Sequence, residues 1–178
     1  MSGDGDHHPA ALRNRQPILD KLLELVDPSA SGAALEIASG TGAHLEHFAP
    51  NFPQLVWQPS EYGKARVQTI GGVERAVDER LLMIDAHGTK SLANVRPAVD
   101  LDVSLPFTSW PAVVQADASK HALVYCSNMC HTTLRQRNPE FGYRDTREVA
   151  AAADEVGLAF ASTTRMPANN LLLEFVRS

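Results

Sequence analysis

Apolar positions along the 178-residue chain change period several times, and each change marks an expected element. From Arg13 to Val26, Leu19, Leu22, Leu23 and Val26 recur at helix spacing, and Pro17 suits a first turn. The stretch Asp27-Pro28-Ser29-Ala30-Ser31-Gly32 ends that helix. Ala33 to Ala38 is a short apolar run, which predicts a buried parallel strand. Ser39-Gly40-Thr41-Gly42 reads as a tight turn, followed by a helix from His44 to Ala49. Leu55, Val56 and Trp57 predict a second strand. A long, partly amphipathic helix is expected within Tyr62 to Ala86, weakened at Gly71-Gly72. Val95 to Val103 predicts a third strand and Ala122 to Cys126 a fourth.

Beyond the fourth strand the pattern changes. Thr132 to Arg144 is polar and irregular. Asp145 to Val156 predicts a helix, with Asp145 or Thr146 as its cap and Gly157 as its stop. Leu158 to Thr164 and Leu171 to Val176 predict two strands, and the connection between them is short enough for an antiparallel hairpin. Strand and helix patterns alternate from residue 33 to 127. The expected fold is therefore α/β and Rossmann-like, a doubly wound, mostly parallel sheet with a C-terminal antiparallel hairpin. The length suits one domain, expected over residues 11–178 behind a flexible tail of residues 1–10.

Composition narrows the classes. The net charge of -5 and the absence of a Lys/Arg run disfavour nucleic acid as a partner. The first 25 residues hold no apolar leader, and no run approaches the roughly 18 apolar residues of a membrane span. Cys126 and Cys130 are the two cysteines, too few for a secreted disulfide framework. A reducing, cytoplasmic setting without membrane attachment is expected.

The densest chemical signal is Glu36-Ile37-Ala38-Ser39-Gly40-Thr41-Gly42, at the end of the first strand. Glycines there let backbone approach a ligand closely, and N–H groups at a helix start favour an anion. A tight turn without a ligand explains the same residues equally well. A nicotinamide dinucleotide is disfavoured, because its fingerprint places a third glycine where this chain has Leu45. Glu61 ends the second strand, 19 residues after Gly42, a spacing at which an acid can accept hydrogen bonds from ribose hydroxyls. A helix-capping Glu is the competing explanation. Asp102 ends the third strand, where it could meet an adenine amino group or simply form a turn. All three groups fall at the carboxyl ends of neighbouring strands, where ligands bind in open α/β sheets.

These residues resemble the S-adenosylmethionine (SAM)-dependent methyltransferase superfamily, through Glu36-x-Ala38-x-Gly40-x-Gly42, Glu61 and Asp102. More closely, the chain resembles the methyltransferase-like protein 26 family. That resemblance runs through Arg13-Asn14-Arg15-x-Pro17, Trp57-Gln58-Pro59-Ser60-Glu61 and Leu101-Asp102-Val103. It continues in Asn128-Met129-x-His131, Arg137-Asn138-Pro139-Glu140-x-Gly142 and Met166-Pro167-Ala168-Asn169-Asn170. The resemblance implies a SAM cofactor held by Glu36, Ala38, Ser39, Gly40, Thr41 and Gly42. Glu61 would lie on ribose, Asp102 on adenine, and Arg13 and Asn14 over the cofactor. Asn128 and His131 are the candidate catalytic residues, facing the transferred methyl. The methyl acceptor stays open. Ala38 stands where the superfamily pattern has its first glycine.

The chain departs from the family after His131. Members carry there a helix, a turn and a fifth strand, whereas this sequence passes within a few residues to Leu134-Arg135-Gln136-Arg137. A parallel crossover needs about a dozen residues or more. An internal deletion near 131–134 is therefore expected, removing a central strand and its flanking helix. It would leave an open sheet edge prone to self-association. The rival reading is a non-catalytic SAM-binding or scaffold protein. No metal site is expected: Cys126, Cys130 and His131 lack a matching distant pair, and His44 and His47 read as a helix-start contact and a surface residue.

Overall fold

The computed structural model describes residues 7–62, 68–70, 73–75, 77–87, 92–103, 105–126, 146–154, 158–166 and 170–177. The chain divides into two compact units, Met1–Cys126 and Ser127–Ser178, where one domain over 11–178 was expected. Among the described residues the first holds a four-stranded and a two-stranded sheet, and the second a two-stranded one.

The first unit opens with α1 (Pro9–Leu25) and β1 (Gly32–Ile37), followed by α2 (Ala43–Phe48) with a 3-10 turn at Ala49–Asn51. Then come β2 (Leu55–Glu61), β3 (Gln68–Ile70), β4 (Val73–Arg75), α3 (Val77–His87), β5 (Val99–Asp100), α4 (Ala112–Ala116) and β6 (His121–Cys126). β5, β2, β1 and β6 form a parallel sheet in that order. β1 and β2 register Ala34 against Trp57 and Glu36 against Pro59. On the other side of β1, Glu36 lies against Tyr125 of β6.

A strand's side chains alternate between faces, so this register sorts the core into two layers. One face presents Trp57 and Tyr125 to Phe48 of α2, with ring centroids 6.3 Å and 5.3 Å apart, and Phe52 packs on Trp57 at 6.3 Å. α1 packs on α2 and buries Ile18, Leu19 and Leu22. The opposite face packs Leu35 with Leu101 and with Val114 of α4. A parallel sheet covered on both faces accounts for the continuous apolar reading of β1. Among the described residues β6 pairs on one side only, with β1, and Val124 is half exposed.

Three sequence expectations change. The loose tail does not extend to residue 10: α1 begins at Pro9, whose ring pre-sets the first turn, and His8 Nδ1 accepts from the Ala10 N–H at 3.2 Å. His7 is buried, its ring held by Thr41 and Glu46. The long helix within 62–86 is replaced by the antiparallel pair β3–β4, with Ile70 opposite Val73, and by the shorter α3. Third-strand pairing is interrupted. It is limited to a bridge between Trp57 and Val95 and to the two residues of β5, because Pro59 of β2 has no N–H to donate and the Ala98 N–H goes to Asp85 Oδ1 at 2.6 Å.

The second unit comprises α5 (Thr146–Asp154), β7 (Leu158–Met166) and β8 (Asn170–Arg177). β7 and β8 form the expected antiparallel hairpin, with Leu158 opposite Arg177 and Met166 opposite Asn170. Phe160 and Phe175 meet edge to face at 5.7 Å, and the Ser162 hydroxyl donates to Glu174 at 2.8 Å. Asn128, His131, Cys130 and the expected deletion at 131–134 lie outside the described residues.

Candidate functional site

The carboxyl ends of β1, β2 and β5 bring together Ser39–Gly42, Glu61 and Asp102. Ser39 N–H donates to the Ser60 carbonyl at 2.9 Å, and the Ser60 hydroxyl donates back to the Glu36 carbonyl at 2.8 Å. Gly42 N–H closes the turn on the Ser39 carbonyl at 2.9 Å. Leu101 N–H donates to the Glu61 carbonyl at 2.9 Å, which sets Asp102 beside the end of β2.

The turn needs left-handed backbone at Ala38, Gly40 and Gly42, with φ of 57°, 62° and 79°. At Gly40 no heavy atom of the described residues would lie within 4 Å of an added Cβ. The glycine therefore leaves open space over the loop as well as allowing its φ. At Gly42, the N-cap of α2, an added Cβ would come 3.6 Å from the His87 Cβ.

Glu61 is buried but well provided for. One carboxylate oxygen accepts from the Gly40 N–H at 2.9 Å. The other accepts from the Tyr62 N–H at 3.0 Å and lies 3.3 Å from the buried Arg80 guanidinium. The acid thus fixes the glycine loop and keeps acceptor capacity for a hydroxyl, since each carboxylate oxygen can take more than one donor.

Glu36 has no such partners. It is fully buried, and among the described residues neither carboxylate oxygen has a hydrogen-bond partner. Burial pushes its carboxyl up to about 8; the Ser39 hydroxyl works against this and the Glu61 charge adds to it. Its nearest cationic candidate, His44 Nδ1, is 4.0 Å away. Burial pulls that imidazole down to about 4, so it is neutral near pH 7, stacked on Phe48 at 5.4 Å.

The remaining expected cofactor contacts divide. Asn14 is buried on α1, and its Oδ1 has no hydrogen-bond partner among the described residues. Arg13, the next residue along the helix, is exposed. The Thr41 side chain is turned to His7 at 3.0 Å, leaving only its backbone to the loop. A depression of about 250 Å³ lined by Gly32, Gln54, Arg96 and Lys120 lies at the opposite, amino end of the strands, away from these groups.

Sequence reasoning missed Arg80 and His7. Their partners lie 19 and 34 positions away along the chain, and no local spacing announces such contacts. The residues present fit a cofactor that carries hydroxyl and amino donors. Gly40 leaves room, Glu61 offers acceptors, and the buried Asn14 Oδ1 awaits a donor.

The architecture is that of Rossmann-like methyltransferases. An O-methyltransferase family protein from Burkholderia thailandensis superposes with a TM-score of 0.53 at 17% identity over 92% of this chain; the chain spans 56% of that protein. A SAM-dependent methyltransferase from Aquifex aeolicus gives 0.53 at 14% identity, covering 88% of each chain. The magnesium protoporphyrin IX methyltransferase from Synechocystis PCC 6803, solved with bound SAH, gives 0.52 at 12% identity over 92% of this chain and 82% of its own. The chain belongs to the family described as protein of unknown function (DUF938), whose model matches residues 6–133 and 132–177. No helix among the described residues is long and apolar enough to cross a membrane.

Proposed function

We propose that the protein binds SAM at the carboxyl ends of β1, β2 and β5 and transfers its methyl group to an acceptor still to be found. The observation that carries this reading is the glycine loop held by Glu61 beneath open space at Gly40. The fold shared with SAM-dependent methyltransferases supports it, as does the sequence resemblance to the methyltransferase-like protein 26 family. Gly40 and Gly42 pass under the methionine moiety, Glu61 receives the ribose hydroxyls, and Asp102 meets adenine. Bound SAM supplies an already activated methyl donor, so alignment and exclusion of water suffice and no strong acid–base pair is required. Asn128 and His131, following β6, are the residues proposed to face the transferred methyl. The setting proposed is the cytoplasm.

One observation favours a second, non-catalytic reading. The family model matches in two segments that meet at residues 132–133. That is where an internal deletion would place its junction, with a strand on the acceptor side lost. Binding without turnover follows if the lost strand carried the acceptor site. Incubation of the full chain with methyl-labelled SAM and a cell extract separates the two. Labelled product, absent with Gly40→Val, supports the enzyme; competent cofactor binding without labelled product supports the non-catalytic form.

A further inference from the structure

We infer that His7, Glu46 and His87 form a binding site for a divalent first-row transition cation such as Zn²⁺. The three side chains come from three elements: the residue pair preceding α1, the middle of α2, and the last residue of α3. Their ligand atoms all lie within 4.8 Å of one another. His7 Nε2 is 3.0 Å from Glu46 Oε2, and His87 Nδ1 is 4.0 Å from the same oxygen. The two imidazole rings sit 4.4 Å apart at 49°, so they converge without stacking flat.

The donor set is chemically selective. Two imidazoles and one carboxylate are what zinc takes when three protein ligands leave a fourth position to water. Nitrogen-rich sites of this kind suit first-row transition ions over magnesium or calcium. Metal–ligand bonds of about 2.0–2.2 Å put neighbouring ligand atoms roughly 3–3.5 Å apart. His7 and Glu46 already meet that spacing, and His87 has to approach by on the order of 1 Å. Both histidines are buried, whereas the Glu46 side chain is about one-third exposed, which opens a path for the ion.

The surroundings of His7 supply what a ligating imidazole needs. Its Nδ1 lies 3.0 Å from Thr41 Oγ1. Without metal, the Nε2–H donates to Glu46 and the Thr41 hydroxyl donates to Nδ1. With metal, the proton moves to Nδ1 and the Thr41 hydroxyl turns to accept it. Nε2 then offers its lone pair to the ion, and no proton is lost at His7. A ligating histidine commonly donates its other N–H to such an outer partner, which fixes ring orientation. The cation would then sit between the Nε2 lone pair and the Glu46 carboxylate, in place of the Nε2–H···O bond. Its structural effect is to clasp the start of α1, α2 and the end of α3 around the glycine loop. It stands independently of the SAM reading.

The test is calorimetric titration of Zn²⁺ into the full chain after EDTA treatment and dialysis. One site per chain in the micromolar range or tighter is expected. His7→Gln and Glu46→Gln should each weaken it by more than about tenfold, since loss even of outer partners costs 10- to 100-fold. His8→Gln, His47→Gln and the double variant Cys126→Ser/Cys130→Ser should leave it unchanged. Circular dichroism in EDTA checks that each variant is folded. Should His7→Gln not fold, Co²⁺ bound to the wild type gives the answer: visible bands without thiolate charge transfer support a His/carboxylate site. Absence of Zn²⁺ binding by the folded wild type would overturn the proposal. So would binding retained in His7→Gln and Glu46→Gln, or lost in the His8 or cysteine variants.

Discussion

Ala38 holds a φ of 57°, a region that costs a residue bearing a Cβ about 1–2 kcal/mol. Glycine would remove that strain while making the unfolded chain more flexible, a loss of about 0.4–1 kcal/mol. Ala38→Gly is therefore expected to stabilise the protein by up to about 1.6 kcal/mol, read as a higher urea midpoint with unchanged slope. Two buried titrating groups shape the pH dependence. Glu36 is raised from 4.5 to about 8 by burial, so the folded state holds its proton where the unfolded state has released it. Its contribution is complete below pH 4.5 and is lost as pH rises through 8. His44 is lowered from 6.5 to about 4, so its contribution is present above pH 6.5 and is lost as pH falls through 4. The two oppose one another between pH 4.5 and 6.5, and only Glu36 acts between 6.5 and 8. Stability should fall over that upper window by roughly 2 kcal/mol, at about 1.4 kcal/mol per pH unit. Glu36→Gln should flatten it, as chemical denaturation at stepped pH would show. The glycine loop and Glu61 were legible as residues, because acid and loop occupy strand ends. The orphaned state of Glu36 was not, since burial depends on α2 folding over the strand.

At the scale of elements, α3 is tied to the end of β2 by one buried ion pair, Arg80 with Glu61. Removing one partner of a buried pair leaves an uncompensated charge, at a cost of about 3–5 kcal/mol. Arg80→Ala is expected to fall near the lower end, because Glu61 keeps its bonds from the Gly40 and Tyr62 N–H groups. Thermal denaturation and SAM titration of this variant should lose stability and affinity together. Phe48→Ala, which empties the place between Trp57 and Tyr125, should cost about 3–5 kcal/mol without touching the loop. β1, β2, β6 and the C-terminal hairpin were legible because apolar runs bounded by Gly, Pro or Asn leave few other arrangements. The segment from 62 to 86 was misread because the residues on either side of Gly71-Gly72 alternate too briefly to show a strand period. There the glycine pair, taken for a weak point in a helix, is the hairpin signal. β5 fell short of its expected length because Pro59 of β2 has no N–H for the ladder and Asp85 takes the Ala98 N–H.

At the scale of the whole molecule, the sheet order β5-β2-β1-β6 places the loop, Glu61 and Asp102 on adjacent strand ends, all within the first unit. Cofactor binding should therefore survive in a chain whose acceptor side is altered, and turnover is the property that tests the rest. If the proposed deletion removed a strand beyond β6, which among the described residues pairs with β1 alone, self-association is the expected outcome; sedimentation over a concentration series should show it, and should respond to Val124→Lys at the half-exposed position on β6. The most direct test of the central claim is calorimetric titration of SAM into the wild type, Gly40→Val and Glu61→Gln, each confirmed folded. The expected result is micromolar binding by the wild type, abolished when a branched side chain fills the open space at Gly40 and weakened when Glu61 loses its charge. A folded wild type that binds no SAM, or a Gly40→Val variant that binds as well as the wild type, would contradict it.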